Sequence, residues 1–255
     1  MGGLVASVAL GFVIGLVLGS LGGGGSVLAV PALVYGVGQT AHAATATSLV
    51  VVGVTAFVGM VGHLRAGSVR LGDGLTFGLV GVGGALCGSL LSGVVSNSVL
   101  LLTFSTVILV AAWRMHEQGT EASEAGWQQQ GHVGRGWRVA IIGSVVGFLT
   151  GFFGVGGGFV IVPALVLTLG YEMPVAVGTS LLVITINSVE ALMFRLPAGG
   201  VDWRVAIPFA TAGVLGVLLG DNLARRVPAA VLTRWFVWLL VIVACYTAAR
   251  SLLGM

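Results

Sequence analysis

Apolar residues fill long runs of this chain, and short polar interludes separate the runs. Most runs approach the roughly 20 residues that a helix needs to cross the hydrocarbon core of a bilayer. Two shorter runs, 26–38 and 159–170, cannot cross upright at about 1.5 Å per residue. The pattern therefore predicts an all-α polytopic membrane protein. The predicted full spans are 4–21, 45–64, 75–94, 99–113, 137–153, 175–196, 201–223 and 232–253.

The chain also carries one long pattern twice. A shift of 132 residues places the glycines, the proline and the Thr-Ser pair of the first copy on those of the second. Self-similarity over this length predicts two homologous transmembrane repeats, 1–114 and 137–255, each with four full spans and a short Gly/Pro-broken segment. The polar tract 115–136 between them is predicted to be an exposed cytoplasmic linker.

Glycines dominate the start of each copy. Glycines four residues apart leave one helix face without side chains, so that another backbone can approach closely. A run of glycines then ends the helix. In a membrane, non-helical backbone is tolerated only where it is buried in protein or lines a cavity. Paired interruptions therefore indicate a transporter binding site, in which free amides and positive helix ends face an anion. The alternative is that the glycines only permit tight packing.

The candidate anion ligands follow from this pattern. The backbone at the two interruptions supplies Gly22, Gly24, Gly25 and Ser26 in the first copy, and Gly154, Gly156, Gly157 and Gly158 in the second. Pro31 and Pro163 are predicted to break the short segments that follow. Hydroxyl donors are expected from Thr47, Ser48, Thr179 and Ser180, and a side-chain amide from Asn187. The alternative for the hydroxyls is a bond to a carbonyl of the preceding helical turn.

Glu190 is the acid that lies well inside a predicted span, and an intramembrane carboxylate suggests proton coupling. A simple ion pair with Arg195 is the alternative. Asp221 and Asn222, near the end of their span, are expected at the membrane interface, and His42 is expected to be structural.

Composition narrows the functional classes. The chain is 57% hydrophobic and 7% charged, with a mean hydropathy of +1.10, whereas soluble chains carry about 25% charged residues. It contains no lysine, so a Walker phosphate loop is excluded. No metal-ligand spacing and no nucleophile–base arrangement recurs, so neither a metal, a cofactor nor an enzymatic site is expected. The net charge of +3 bears on orientation in the membrane, not on nucleic-acid binding.

The symmetry of the halves depends on the two short segments. If they re-enter, each half has four spans and the halves are parallel; if they cross, each half has five and the halves are inverted. Arginines divide eight to three between the two sides in both cases, so the positive-inside rule does not choose. It places the loop 65–70 and the central linker in the cytoplasm under either topology. The shortness of the segments favours re-entry.

The duplicated Gly-x-x-x-Gly, Gly-x-Gly-Gly and Val-Pro-Ala-Leu pattern, followed in each half by Thr47-Ser48 or Thr179-Ser180, resembles the TauE/SafE sulfite exporter family. The resemblance covers essentially the whole chain. It implies transport of sulfite, sulfoacetate or related sulfur-containing anions. The first half departs from the pattern, with Ala46 where the second half has Gly178.

We therefore predict a secondary transporter of a small sulfur-containing oxyanion, an exporter in a prokaryotic plasma membrane. It would work by alternating access around a site near the bilayer midplane. Its partners would be the anion, the lipid bilayer and a coupling ion, H⁺ or Na⁺, with a homo-oligomer compatible with the sequence. The alternatives are an anion channel and a non-transporting membrane scaffold or assembly protein.

Overall fold

The structure, a computed structural model, describes residues 2–92, 94–95, 97–121, 135–153, 158–195 and 200–252. Every regular element in these ranges is helical. The first five helices are α1 (Gly2–Leu21), α2 (Gly24–Pro31), α3 (Ala41–Arg65), α4 (Leu71–Ser92) and α5 (Asn97–Glu121). The next five are α6 (Arg135–Phe153), α7 (Gly158–Leu169), α8 (Met173–Arg195), α9 (Trp203–Arg226) and α10 (Ala229–Leu252). Among these described helices, six are long and apolar enough to cross a bilayer: α3, α4, α6, α8, α9 and α10. The chain is a multi-pass membrane protein.

The short segments depart from the prediction in one respect. Pro31 ends α2, and the chain continues through a wider π-helical turn, Ala32–Gly36, as expected for a proline that removes a backbone donor. Pro163 lies inside α7, which continues to Leu169. The interruption predicted at Pro163 is therefore wrong. Pro163 is the sixth residue of α7, so it removes one backbone hydrogen bond without ending the helix.

Glycine faces bring pairs of helices into backbone contact. A Cβ added to Gly15 on α1 would lie 2.7 Å from the Cα of Gly213 on α9. A Cβ added to Gly147 on α6 would lie 2.6 Å from the Cα of Gly81 on α4. The two contacts are equivalent in the two halves of the chain. Gly147 lies 132 residues after Gly15, and Gly213 lies 132 residues after Gly81. The close approach predicted from the glycine spacing is confirmed.

The order of contacts gives the relative directions of the helices. On α1 and α9, Gly11 meets Phe209 and Gly19 meets Val217, so the two helices are parallel. On α3 and α9, Gly59 also meets Val217 and Gly62 meets Asp221, so α3 has the same direction. Helix α3 therefore runs parallel to α1.

Helix α2, which lies between α1 and α3 in the sequence, packs antiparallel to α1. Gly25 lies against Leu18, and Gly36, at the end of the π turn, lies against Leu10. The chain thus reverses at the glycine turn and again before α3. This course does not fit a re-entrant α2, which requires α1 and α3 to be antiparallel.

The outer surface is apolar, as a lipid-facing surface must be. Large aliphatic side chains on the outward faces of α4, α6 and α9 are exposed, and tryptophans lie near helix ends, where the membrane interface favours them. The interior is filled by fully buried side chains such as Leu18, Phe77, Phe209 and Phe236. The exposed tryptophans are Trp113, Trp137, Trp203, Trp235 and Trp238.

Candidate functional site

The amino-terminal ends of α2 and α7 meet inside the protein. A Cβ added to Gly23, just before α2, would lie 2.8 Å from the amide nitrogen of Phe159 and would overlap the carbonyl of Gly158. A Cβ added to Gly158 would lie 3.0 Å from the Cα of Gly23 and would overlap the hydroxyl of Ser26. Ser26 and Gly158 occupy the same position in the two copies of the pattern. The two short helices therefore touch through equivalent residues at their starts.

A left-handed turn makes this meeting geometrically possible. Helix α1 ends at Leu21, and Gly22 adopts φ +68°, a conformation that a side chain would strain. The chain then starts α2 at Gly24 in the opposite direction. The predicted helix end at this glycine run is confirmed. In the second copy, Gly154, Gly156 and Gly157 lie outside the described residues.

This head-to-head arrangement concentrates positive potential. The first amides of a helix have no acceptor within it, and each helix start carries a partial charge of roughly +0.5. Gly22, Gly24, Gly25, Ser26 and Gly158 are all buried, so water cannot screen the two helix starts. Two positive helix ends in contact oppose each other unless a negative charge lies between or beside them.

One face of α8 covers the meeting point. A Cβ added to Gly22 would lie 3.2 Å from the Cα of Val177 and 2.6 Å from the hydroxyl oxygen of Ser180. Gly22 therefore packs against both residues. Ile184, one turn further, would lie 2.9 Å from a Cβ on Gly158. Asn187 follows three residues later and therefore lies on the same face.

Asn187 brings an unused polar atom to this face. Its side-chain oxygen Oδ1 is buried and has no hydrogen-bond partner among the described residues. Its counterpart, Thr55, is satisfied locally, since its hydroxyl donates to the carbonyl of Val51 at 2.7 Å. An oxyanion only accepts hydrogen bonds, so it would be held by the amide nitrogen Nδ2 of Asn187 and not by this oxygen. The first half has no equivalent amide.

The hydroxyl groups of Thr47 and Thr179 accept hydrogen bonds from backbone amides. The hydroxyl of Thr47 accepts the amide of Asp202 at 3.2 Å, and the hydroxyl of Thr179 accepts the amide of Arg70 at 3.1 Å. Both bonds lie just before the starts of α9 and α4, and both threonines are fully buried. They fix the entry of two helices, which sequence reasoning did not predict. Each hydroxyl keeps its hydrogen for one further acceptor.

The serines make the local bonds that were the alternative to a ligand role. Ser26 donates to Gly23, Ser48 to Thr45 and Ser180 to Val177, each to the backbone carbonyl three residues earlier and at 2.8 Å. Their hydroxyl hydrogens are already used, so each serine can only accept a further bond. Glu190 lies half-buried on α8. The side chain of Arg195, its predicted alternative partner, lies outside the described residues.

A buried polar cluster beside the first interruption was missed. His63 on α3 and Asp221 on α9 are both buried, with the imidazole Nε2 and the carboxylate Oδ1 3.3 Å apart. Arg225 donates to both oxygens of Asp221 at 3.0 and 2.7 Å, and also to the carbonyl of Gly62 at 2.7 Å. Asp221 lies near the end of α9, as the sequence indicated, but α3 covers its side chain.

Part of this cluster had a sequence signal. Asp221 and Arg225 are four residues apart, the spacing at which opposite charges pair on a helix. The contribution of His63 depends on how α3 packs against α9, and no local pattern contains that information.

With this geometry established, comparison with known proteins identifies the family. The sequence profile described as "Sulfite exporter TauE/SafE" matches residues 7–247. This chain belongs to the TauE/SafE family. The resemblance found in the duplicated glycine pattern is confirmed, and the match includes both interruptions and both Thr-Ser pairs.

The relatives of this TauE/SafE protein have matching lengths. A "Probable membrane transporter protein" of Xylella fastidiosa (strain 9a5c) is 34% identical over 251 residues, which cover 97% of this chain and 96% of the relative. The "Probable membrane transporter protein YunE" of Bacillus subtilis (strain 168) is 27% identical over 266 residues, covering 94% and 96%. A similarly described protein of Methanocaldococcus jannaschii is 26% identical over 234 residues, covering 86% and 84%. No solved structure gives a significant match.

Proposed function

We propose that this protein is a secondary transporter that carries a small sulfur-containing oxyanion, such as sulfite or an organosulfonate, out across a prokaryotic plasma membrane. The observation that carries the proposal is the buried contact between the starts of α2 and α7. An oxyanion there would receive free backbone amides from both helices and would relieve the opposition of the two positive ends. The site residues would be Gly24, Gly25, Ser26 and Gly158, with Asn187 beside them.

The contacts support two halves of five passes each, in inverted orientation. Equivalent residues of two related halves can touch only on the axis that relates them, and Ser26 touches Gly158. Helices α3 and α8 are also equivalent, and they pack antiparallel, with Gly53 against Ser188 and His63 against Gly178. An axis that reverses helix directions lies in the membrane plane. The proposed site would therefore lie at the bilayer midplane, as in transporters built from inverted repeats.

Helix packing suggests which parts move. Helices α1, α3 and α9 pack together, and their counterparts α6, α8 and α4 form a second group. Each group contains helices from both halves of the chain. Alternating access would consist of one group rocking against the other around the contact between α2 and α7. The described glycines of the proposed site and Ser26 are buried, as expected for a closed state.

The chemistry of the site suits a substrate that must leave again. The described residues around the meeting point are glycine, serine, valine, leucine, isoleucine, phenylalanine and asparagine. Helix ends and an amide attract an anion without the bidentate grip of an arginine, which binds oxyanions about twice as strongly as neutral donors do. Binding that is moderate on both sides of the membrane favours turnover.

Arginine positions support the orientation and the direction of transport. With five passes per half, eight of the eleven arginines lie at the end that contains the loop 65–70, which the positive-inside rule assigns to the cytoplasm. An interior-negative potential then contributes about 2.3 kcal/mol per charge per 100 mV to expelling an anion. Export could run without a coupling ion, whereas uptake would need one.

Flux into liposomes tests the proposal. The purified protein is reconstituted, and uptake of radiolabelled sulfite, sulfoacetate and thiosulfate is followed under an imposed membrane potential. We expect saturable uptake of at least one anion and accelerated exchange when the same anion is loaded inside. Flux that does not saturate and shows no exchange would indicate a channel, and no flux above empty liposomes would indicate a scaffold.

A pair of alanine variants checks that the flux depends on the site. Gly23→Ala should abolish it, because the added methyl group would overlap the start of α7. Gly72→Ala, at the start of α4, is the matched control, since nothing lies within 4 Å of its added Cβ. Equal flux in the two variants would contradict the assignment of the site.

A further inference from the structure

The cluster of His63, Asp221 and Arg225 has no part in the anion site described above. It ties the end of α3 to the end of α9, and Ser68 in the following loop completes it. The corresponding positions in the other copy hold Arg195, Ser89 and Gly93 in place of the three residues. The cluster is therefore specific to one side of the protein, and symmetry of the fold does not explain it.

The hydrogen bonds around His63 leave one ring nitrogen unsatisfied. The hydroxyl of Ser68 donates to the backbone carbonyl of His63 at 3.1 Å, so its oxygen can accept from the ring Nδ1 at 3.0 Å. When the Ser68 hydroxyl donates to that carbonyl, the proton of the neutral ring lies on Nδ1. Nε2 then presents a lone pair 3.3 Å from Oδ1 of Asp221, within ion-pair distance, and has no hydrogen-bond partner among the described residues.

The buried Nε2 atom of His63 can bind a proton. In the neutral ring two acceptors, Nε2 and a carboxylate oxygen, face each other without water. A proton on Nε2 converts that contact into an ion pair between an imidazolium and Asp221. The proton is transferred from hydronium or a buffer acid to the Nε2 lone pair, the donor keeps the electron pair of the broken bond, and the cluster gains one positive charge.

Few charged side chains of the described residues face the imidazole of His63. From α9 it faces Asp221 and Arg225, which neutralise each other through two hydrogen bonds. The described part of α1 contains no ionisable residue, and Glu190 on α8 lies toward the opposite end of that helix. On α3 itself, Arg65 is exposed, as is Arg70 in the loop.

One turn of α8 connects the cluster to the anion site. Gly178 packs against the side chain of His63, with an added Cβ 3.0 Å from the His63 Cβ. Its neighbour Val177 packs against Gly22 at the first interruption. A charge on His63 therefore lies close to the start of α2, in buried surroundings that screen it weakly.

We propose that Nε2 of His63, beside Asp221, is the proton-binding site that couples a proton to anion binding in this protein. This inference rests on the proposed anion site. A protonated His63 adds positive potential at the first interruption and strengthens anion binding. By linkage, the bound anion favours the protonated ring to the same extent. The proposal assigns to His63 the role that the sequence suggested for Glu190.

Proton uptake on anion binding tests it directly. Calorimetric titration of the purified protein with sulfoacetate, which does not titrate near neutral pH, is run in two buffers with different ionisation enthalpies. The wild-type protein should take up at most about half a proton per anion, the largest uptake that a tenfold coupling between the two sites produces. Affinity should fall roughly tenfold from about pH 6 to about pH 8, a typical coupling between two sites. Anion binding without proton uptake would overturn the coupling, and no binding of sulfoacetate, sulfite or thiosulfate would overturn the anion site as well.

Variants assign the proton to its residue. His63→Gln should bind sulfoacetate with the same affinity at both pH values and take up no proton. His42→Gln, at the exposed start of the same helix, should behave like the wild type. Proton uptake that survives in His63→Gln, or that disappears in Glu190→Gln instead, would overturn the assignment. If His63→Gln does not fold, His63→Asn serves the same purpose, and the wild-type titration decides the coupling without any variant.

Discussion

Neighbouring glycines on α4 offer a sharp test of the backbone contact between α4 and α6. A Cβ added to Gly84 would lie 2.8 Å from the amide nitrogen of Phe148 and would overlap the carbonyl of Ser144. At Gly83, one residue earlier, nothing lies within 4 Å of an added Cβ. We expect Gly84→Ala to destabilise the protein and Gly83→Ala to stabilise it.

The magnitudes follow from the contact distances. Ordinary van der Waals contact begins at 3.4 Å, so α4 and α6 must separate by at least about 0.6 Å to accept the methyl group on residue 84. Overpacking of this kind costs about 1–3 kcal/mol. Both variants gain about 0.5–1 kcal/mol because alanine loses less entropy in a helix than glycine does. That common gain cancels in the comparison, so the two variants should differ by about 1–3 kcal/mol.

Thermal unfolding in detergent measures this difference. For a chain of this size, 1 kcal/mol corresponds to about 2–4 °C in the midpoint. Gly84→Ala should therefore unfold several degrees below Gly83→Ala when both are heated at the same rate, a condition that matters if unfolding is irreversible. Gly216→Ala, the equivalent of Gly84→Ala on α9, should repeat the loss. Equal midpoints for the neighbouring variants would refute the close backbone packing.

Three further outcomes are expected. Thr179→Val should lower the unfolding midpoint and Thr179→Ser should not, because the valine leaves the buried amide of Arg70 without an acceptor, at a cost of about 1–3 kcal/mol; equal midpoints would contradict the bond. Asn187→Thr, which restores the residue of the other half, should keep the midpoint but weaken sulfoacetate binding roughly tenfold, as loss of one hydrogen bond to an anion does; unchanged affinity would exclude Asn187 from the site. Ser180→Ala should leave the midpoint nearly unchanged, since Ser180 bonds to the carbonyl of Val177, which α8 already satisfies; a large loss would show a further role.

Much of the helical plan could be predicted, because a bilayer permits few backbone solutions. Each apolar run became a helix, and the turn at Gly22 lies where the glycine run begins. The direction of α3 could not be predicted, because the length of α2 does not determine whether it crosses or returns. Contacts between distant residues, such as Gly62 with Asp221, carried that information.

Around the candidate site, the sequence indicated some of the contacts between residues but not the hydrogen-bond partners of the hydroxyl groups. The pattern singled out Ser26 and Gly158, which the fold brings into contact. It also assigned donor roles to Thr47 and Thr179, and it did not indicate that their oxygens accept loop amides. A sequence shows which hydroxyls are available but not which backbone groups will reach them first.

Helix α1, in the first half of the chain, packs against α9, in the second half, and this affects how the protein folds during synthesis. Helix α1 leaves the ribosome before the other described helices, yet the glycine face that it presents to α9 stays uncovered until about 180 further residues have been synthesised. During that interval the first five helices can insert but cannot complete their packing. We expect the two halves, expressed as separate polypeptides in one cell, to be unstable alone and to assemble only when they meet. A membrane chaperone that shields α1 during synthesis would find its binding surface on that glycine face.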